Sequence, residues 1–170
     1  GRKIADALGI ELDVVVASKI GAPKNPELGI GAAASDGSYW LNERMIEDLE
    51  VDQKFLEDGI KRESEKALEK LRYMRGNEKL PEIKEMNVLI VDDGIATGGT
   101  AIACIRQVKN AGANKIILAV PVAPLEGSKK LEDEVDELII LEIPDFFSAV
   151  GSHYKYFNQV SDAEAKKYLE

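Results

Sequence analysis

Between residues 87 and 122 an apolar, β-branched run (NVLIV), a turn of small residues, an amphipathic helical pattern (TAIACIRQVKNAG) and a second apolar run (KIILAVPV) follow one another with almost no spare chain. Apolar runs of this kind read as strands covered on both faces, and strands that alternate with helices through short loops lie parallel in one sheet. This unit restricts the chain to the α/β class. It predicts a parallel sheet flanked by helices on both faces.

The rest of the sequence continues the alternation. GRKIADALG reads as a helix capped by Gly9, LDVVVAS (12–18) as a buried strand, GAPKNPE (21–27) as a loop and LGIGAAAS (28–35) as a strand of small residues ending in a turn at SDGS. From Asp52 to Arg75 apolar residues recur at three-to-four spacing up to Gly76, which predicts one long helix whose charges face water. EGSKKLEDEV is helical, ELIILEI (137–143) is a further buried strand, and SDAEAKKYLE closes as a capped helix. No internal repeat or low-complexity linker interrupts residues 1–170, so one domain is expected.

Charge narrows the partners. The net charge of −9 opposes a sequence-independent hold on nucleic acid or anionic lipid, both of which demand clustered Lys and Arg. One cysteine, Cys104, and the lack of any apolar run long enough to span a bilayer predict a cytoplasmic protein without disulfides. Any phosphate must therefore be held locally.

LIVDDGIATGGT (89–100) is the stretch suited to that task. In a parallel sheet ligands sit beyond the carboxyl ends of the strands. Gly94, Gly98 and Gly99 permit tight turns and close approach of an anion. The helix beginning near Thr100 offers unpaired amides, and Thr97 and Thr100 add hydroxyls. Asp92 and Asp93 cannot share that phosphate without repulsion, so they should meet hydroxyls or a divalent cation. A sugar phosphate satisfies both halves. A nucleotide-triphosphate P-loop is excluded because Thr100 stands where its Lys should be, and GIGAAA (29–34) precedes a turn rather than the helix a dinucleotide fingerprint needs. No G-x-S-x-G elbow supports a hydrolase.

VLIVDDGIATGGT (88–100) closely resembles the 5-phosphoribosyl-1-pyrophosphate (PRPP) motif of the type I phosphoribosyltransferases. KIGAPKNPELGIGA, AVPVAP and FFSAVGSHYKYFNQVSD extend the resemblance, to a largely uncharacterised prokaryotic phosphoribosyltransferase-like family. The resemblance implies a core sheet with a small hood and a mobile loop. It implies transfer of a phosphoribosyl group to or from a nitrogenous base, with Mg²⁺ as cofactor and pyrophosphate as the other product, or alternatively a regulatory module that binds PRPP or a nucleotide without turnover. By position, Asp92 and Asp93 would hold the ribose hydroxyls, and Ala96, Thr97, Gly98, Gly99 and Thr100 the 5′-phosphate. Lys19 and Lys24, in a lid formed by SKIGAPKNPE, would neutralise pyrophosphate, with Glu27 a weaker candidate for proton transfer. Phe146 or Phe147 would stack on the base. Ala96 replaces the acid of many 6-oxopurine transferases and is more like adenine or uracil transferases. A homo-oligomer is expected. Family members begin with a strand and a pyrophosphate loop, and this chain is expected to lack both. His153, a lone histidine, is read as a surface or hood residue, and Cys104 as a small buried hydrophobe.

Overall fold

The computed structural model describes residues 1–76 and 81–169. Helix α1 (Arg2–Leu8) ends where Gly9 turns left-handed at φ 64° and its amide closes on the Ala5 carbonyl. Leu12 to Val16 then run outside any strand, although the sequence predicts one over 12–18. The composition is right for a strand, but a ladder needs a partner. The first pairing begins at β1 (Ala17–Ala22), which meets β2 (Asn25–Ala34) antiparallel in the register Ala17↔Ala34.

SKIGAPKNPE, expected as a loop, is therefore mostly the outer part of a β hairpin. Its register slips on either side of Gly21, where an added Cβ would collide with the Pro26 backbone. Strand β3 (Tyr39–Leu41) completes this antiparallel sheet beside β2, and α2 (Glu43–Asp48) follows with Asn42 as its cap. Neither short element carries enough periodicity to be read from sequence. Helix α3 (Gln53–Arg75) lies where expected, with the Asp52 carboxylate accepting from the Lys54 and Phe55 amides and Gly76 ending it in the left-handed region, but its charges do not all face water: Glu63 is buried and accepts from Arg62 and Lys66. Its buried face, including Leu56, Ala67 and Leu71, packs on β1 and β2.

The second sheet is parallel and ordered β4–β5–β6: β4 (Asn87–Val91), β5 (Lys115–Val122) and β6 (Glu137–Glu142). It is flanked by helices. Ile102, Ile105 and Val108 of α4 (Gly99–Asn110) and Leu131 of α5 (Leu125–Glu132) close a core over Ile116, Leu118 and Val120. On its other side α4 meets the antiparallel sheet through Ala32, Ala34 and Ala103. The run of alanines in β2 thus has a packing reason: small side chains let the helix lie close between two sheets. Helix α6 (Asp162–Lys167) opens with a capping box between Ser161 and Glu164; Glu170, the last residue of the expected helix, lies outside the described residues.

Among the described residues the outer edge of β4 pairs with no strand. Across from it lie residues 10–15, and the slot between them, about 1110 Å³, is lined by Leu12 and Val14 on one wall, Leu89 and Val91 on the other, and Ile4 and Ala5 of α1.

Candidate active site

The strand β4 delivers Asp92 and Asp93 to its carboxyl end, and the chain then turns sharply into α4. Asp92 accepts from the Asp93 amide at 2.9 Å. The surrounding protein mass desolvates both carboxyls and raises both above the usual carboxylate range; the Asp93 amide bond works against that rise at Asp92, and the neighbouring Asp93 charge adds to it. Two acids held partly against their charge are poised to accept hydrogen bonds from a ligand or to share a cation.

The turn is fixed from several directions. The Ile95 amide donates to the Val122 carbonyl at 2.9 Å, and the Ile95 side chain is buried. Beneath the loop, α5 comes close enough that a Cβ on Gly127 would stand 3.1 Å from the Ala96 carbonyl oxygen. Ala96, Thr97 and Thr100 remain exposed along the rim.

The three glycines of the loop have different physical reasons. Gly98, the N-cap of α4, has φ 82°, where only glycine is comfortable. Gly94 and Gly99 do not have positive φ. At Gly94 an added Cβ would lie 2.7 Å from Val150 and 2.9 Å from Val122, and at Gly99 it would lie 2.8 and 2.9 Å from two ring carbons of Trp40. Both are glycines by packing rather than by turn geometry. No side chain caps α4, so its first amides point outward, unpaired within the helix, beside the exposed threonines. An anion fits there.

The tail folds over this end of the sheet. Tyr154 donates its hydroxyl to the Asp93 carbonyl at 2.6 Å and stacks, tilted, on Phe157, while Phe157 lies against Gly151. Burial first, and then the charges of Asp93 and Asp92, raise the Tyr154 hydroxyl above its usual value. Phe147 stacks on His153 with ring centroids 5.4 Å apart, and Phe146 is 93% exposed. His153 thus lies in the tail against Phe147. Cys104 is half-buried rather than buried as expected; the surrounding protein, followed by the charges of Asp92 and Asp36, pushes its thiol up to about 12, which suits an inert side chain.

The two lysines lie on the hairpin. Lys19 Nζ donates to the Glu27 carbonyl at 3.0 Å and pairs with its carboxylate at 3.5 Å, so Glu27 serves as a partner for Lys19 within the arm. Lys24 stands exposed at the hairpin tip. The fold thus brings together the acid pair, the glycine loop and the tail, and puts the lysines on a separate arm. Trp40 and the Tyr154 hydrogen bond are absent from the sequence reading. Nothing local in SYWLN marks Trp40, whose contact is with a residue far along the chain.

Among the described residues no helix is long and apolar enough to cross a membrane, and no three His, Cys, Asp or Glu side chains gather as a metal cluster. The sequence matches the profile of the phosphoribosyl transferase domain over residues 1–156. A protein of Mycobacterium tuberculosis (strain ATCC 25618 / H37Rv), provisionally named a phosphoribosyl transferase, is 36% identical over 170 residues, 99% of this chain and 38% of the relative. The chain therefore spans less than half the length of that relative. A uracil phosphoribosyltransferase of Staphylococcus carnosus (strain TM300) is 40% identical over 76 residues, 44% of this chain and 34% of that protein. The crystal structure of TT1426 from Thermus thermophilus superposes with a TM-score of 0.77 at 35% identity, covering 99% of this chain and 79% of that one. With its profile match and its parallel sheet flanked by helices, the chain belongs to the phosphoribosyl transferase domain family.

Proposed function

We propose that the chain binds PRPP or a nucleoside monophosphate with Mg²⁺ and transfers the phosphoribosyl group to or from a nitrogenous base. The observation that carries this reading is the adjacency of two partly desolvated acids, Asp92 and Asp93, to a helix N-terminus whose cap, Gly98, offers no side chain. Such a site suits a ligand with hydroxyls at one end and a phosphate at the other. Asp92 and Asp93 accept from the ribose hydroxyls. The amides and hydroxyls from Ala96 to Thr100 hold the 5′-phosphate.

In the forward reaction the bond from the ribose C1′ to the pyrophosphate oxygen breaks, a bond from C1′ to a ring nitrogen of the base forms, and the nitrogen's proton leaves to solvent or phosphate. Positive charge built up on the ribose ring is best stabilised near anionic groups, and Asp92 and Asp93 supply them. Lys24 at the hairpin tip, and Lys19 once released from Glu27, offset the charge on the leaving pyrophosphate. Mg²⁺ characteristically takes one or two carboxylates plus phosphate oxygens and waters, which the two acids fit; when bound it would neutralise the pyrophosphate. Phe146, fully presented to solvent, and Phe147, which has one face on His153, are the aromatic surfaces for the base.

Ala96 leaves the loop without an acid beside the base, and the partial likeness to a uracil transferase favours a pyrimidine or adenine acceptor over a 6-oxopurine. The pairing of Lys19 with Glu27 favours a second reading, a module that binds the same ligands without turnover. Incubation with PRPP, Mg²⁺ and a panel of bases, read by pyrophosphate release, distinguishes the two. Release with one base supports transfer. Calorimetric binding of PRPP without release supports the module, and no binding refutes both.

A further inference from the structure

Gly99 is a helical residue with an ordinary φ, so an alanine would suit its backbone. The nearest obstacle is the Trp40 ring, with carbons at 2.8 and 2.9 Å from the would-be Cβ. Trp40 comes from the antiparallel sheet and packs into the core of the parallel one, on the first residue of α4. Its strand is held there from two sides. Arg106 of α4 donates to the Tyr39 carbonyl at 2.8 Å and pairs with Glu134, and Lys130 of α5 stands 6.0 Å over the indole while bonded to Glu126. The indole thus presses one wall of the loop while Gly127 presses the other at Ala96.

We propose that Trp40 is a positioning residue of the glycine loop: its indole seats on Gly99 and sets where the first amides of α4 point, so that the antiparallel sheet and the anion site are mechanically coupled. The proposal rests on the reading of residues 96–100 as a phosphate cradle. An indole on a bare backbone fixes the loop more firmly than a smaller side chain could, because an aromatic plane covers a large area with few rotatable bonds. As the chain has one tryptophan, this residue also reports on the loop by its own emission.

The test is a cycle of Gly99→Ala, Trp40→Leu and the double variant. It is read by calorimetry with inorganic phosphate and ribose 5-phosphate, by thermal unfolding, and by tryptophan fluorescence of the unaltered chain. Gly99→Ala should weaken both ligands about tenfold or more, because the added methyl and the ring cannot both keep their places. Trp40→Leu should weaken them severalfold while far-UV circular dichroism stays native. Adding Gly99→Ala to Trp40→Leu should cost little more, since the obstruction is gone. Ribose 5-phosphate should also shift the emission of the unaltered chain.

Additive losses in the cycle, or binding by the unaltered chain that leaves emission unchanged and survives Trp40→Leu in full, would overturn the coupling while leaving the phosphate assignment standing. Failure of the unaltered chain to bind either ligand would instead remove the phosphate assignment, and the positioning role with it. If Trp40→Leu unfolds, Trp40→Phe replaces it in the same cycle, with the same expected non-additivity.

Discussion

Tyr154 and Asp93, 61 residues apart, are joined by a hydrogen bond of 2.6 Å from the phenol to the backbone carbonyl. The tail therefore holds the acid pair by its main chain and occupies neither carboxylate. Tyr154→Phe removes about 1 kcal/mol of support from that backbone. We expect ribose 5-phosphate to bind roughly fivefold more weakly, with inorganic phosphate less affected, in calorimetric titrations. Equal losses for the two would place the effect on the loop as a whole.

The acid pair should carry opposite consequences for binding and stability. Replacing both Asp92 and Asp93 with Asn removes two charge-assisted bonds of about 1.5–3 kcal/mol each, so ribose 5-phosphate should weaken by roughly a hundredfold or more. Inorganic phosphate, relieved of two nearby negative charges, should hold its affinity or gain slightly.

The same raised carboxyls set a pH dependence. An acid whose folded value lies above its unfolded one takes up its proton more readily in the folded state, so stability falls as pH rises through that window, upward from the ordinary value of 3.8. At neutral pH the doubly substituted chain should melt no lower than the parent, and by up to a few degrees higher. A markedly lower melting point would mean that the acids hold the loop together.

Glu134 should behave in the reverse sense. Burial tends to raise its carboxyl, but bonds from Arg106 and Lys109 prevail and hold it below the usual value. A lowered folded value gives stability that is complete above the ordinary 4.5 and is lost as pH falls through the folded value. Glu134→Gln should flatten the acid limb of the melting curve, and by loosening the Arg106 bridge it should also blunt the Tyr39 contact behind Trp40. An unchanged limb would show that the bridge contributes little in solution.

On the hairpin, Lys19 and Glu27 form an exposed pair of the kind that contributes little to stability. Glu27→Gln should leave the melting point unchanged and strengthen pyrophosphate a fewfold by removing the carboxylate charge from beside the ammonium, which keeps its bond to the residue 27 carbonyl. Changing both Lys19 and Lys24 to Ala should weaken PRPP and pyrophosphate far more than a nucleoside monophosphate. A uniform loss across the three ligands would point to general electrostatics instead.

What could be read from sequence followed the range of the interaction. Asp52, Gly76 and the Ser161–Glu164 box mark helix ends because caps act over three residues, and those helices lie where the sequence predicts them. The strand, turn and helix that carry Asp92, Asp93 and the glycine loop were legible for the same reason. Strand limits were not: Leu12 to Val16 has the residues of a strand but joins no ladder among the described residues, while the Pro- and Gly-rich stretch after Lys19 pairs because β2 returns beside it. Trp40 on Gly99 and Tyr154 on Asp93 belong to contacts across the chain that no local pattern announces.

The slot beside β4 has a colloidal consequence. Edge strands are normally made unadhesive by lysine, proline, a bulge or a covering element, yet Asn87–Val91 carries none of the first three and, among the described residues, shows an unpaired edge to the slot. ELIILEI, expected as a buried strand, is instead the opposite edge of the sheet with no second face to cover it: Ile139, Leu141 and Ile143, on β6 and just beyond it, are open to solvent. The exposed apolar side chains along β6 should therefore limit the solubility of this polypeptide more than its net charge of −9 protects it.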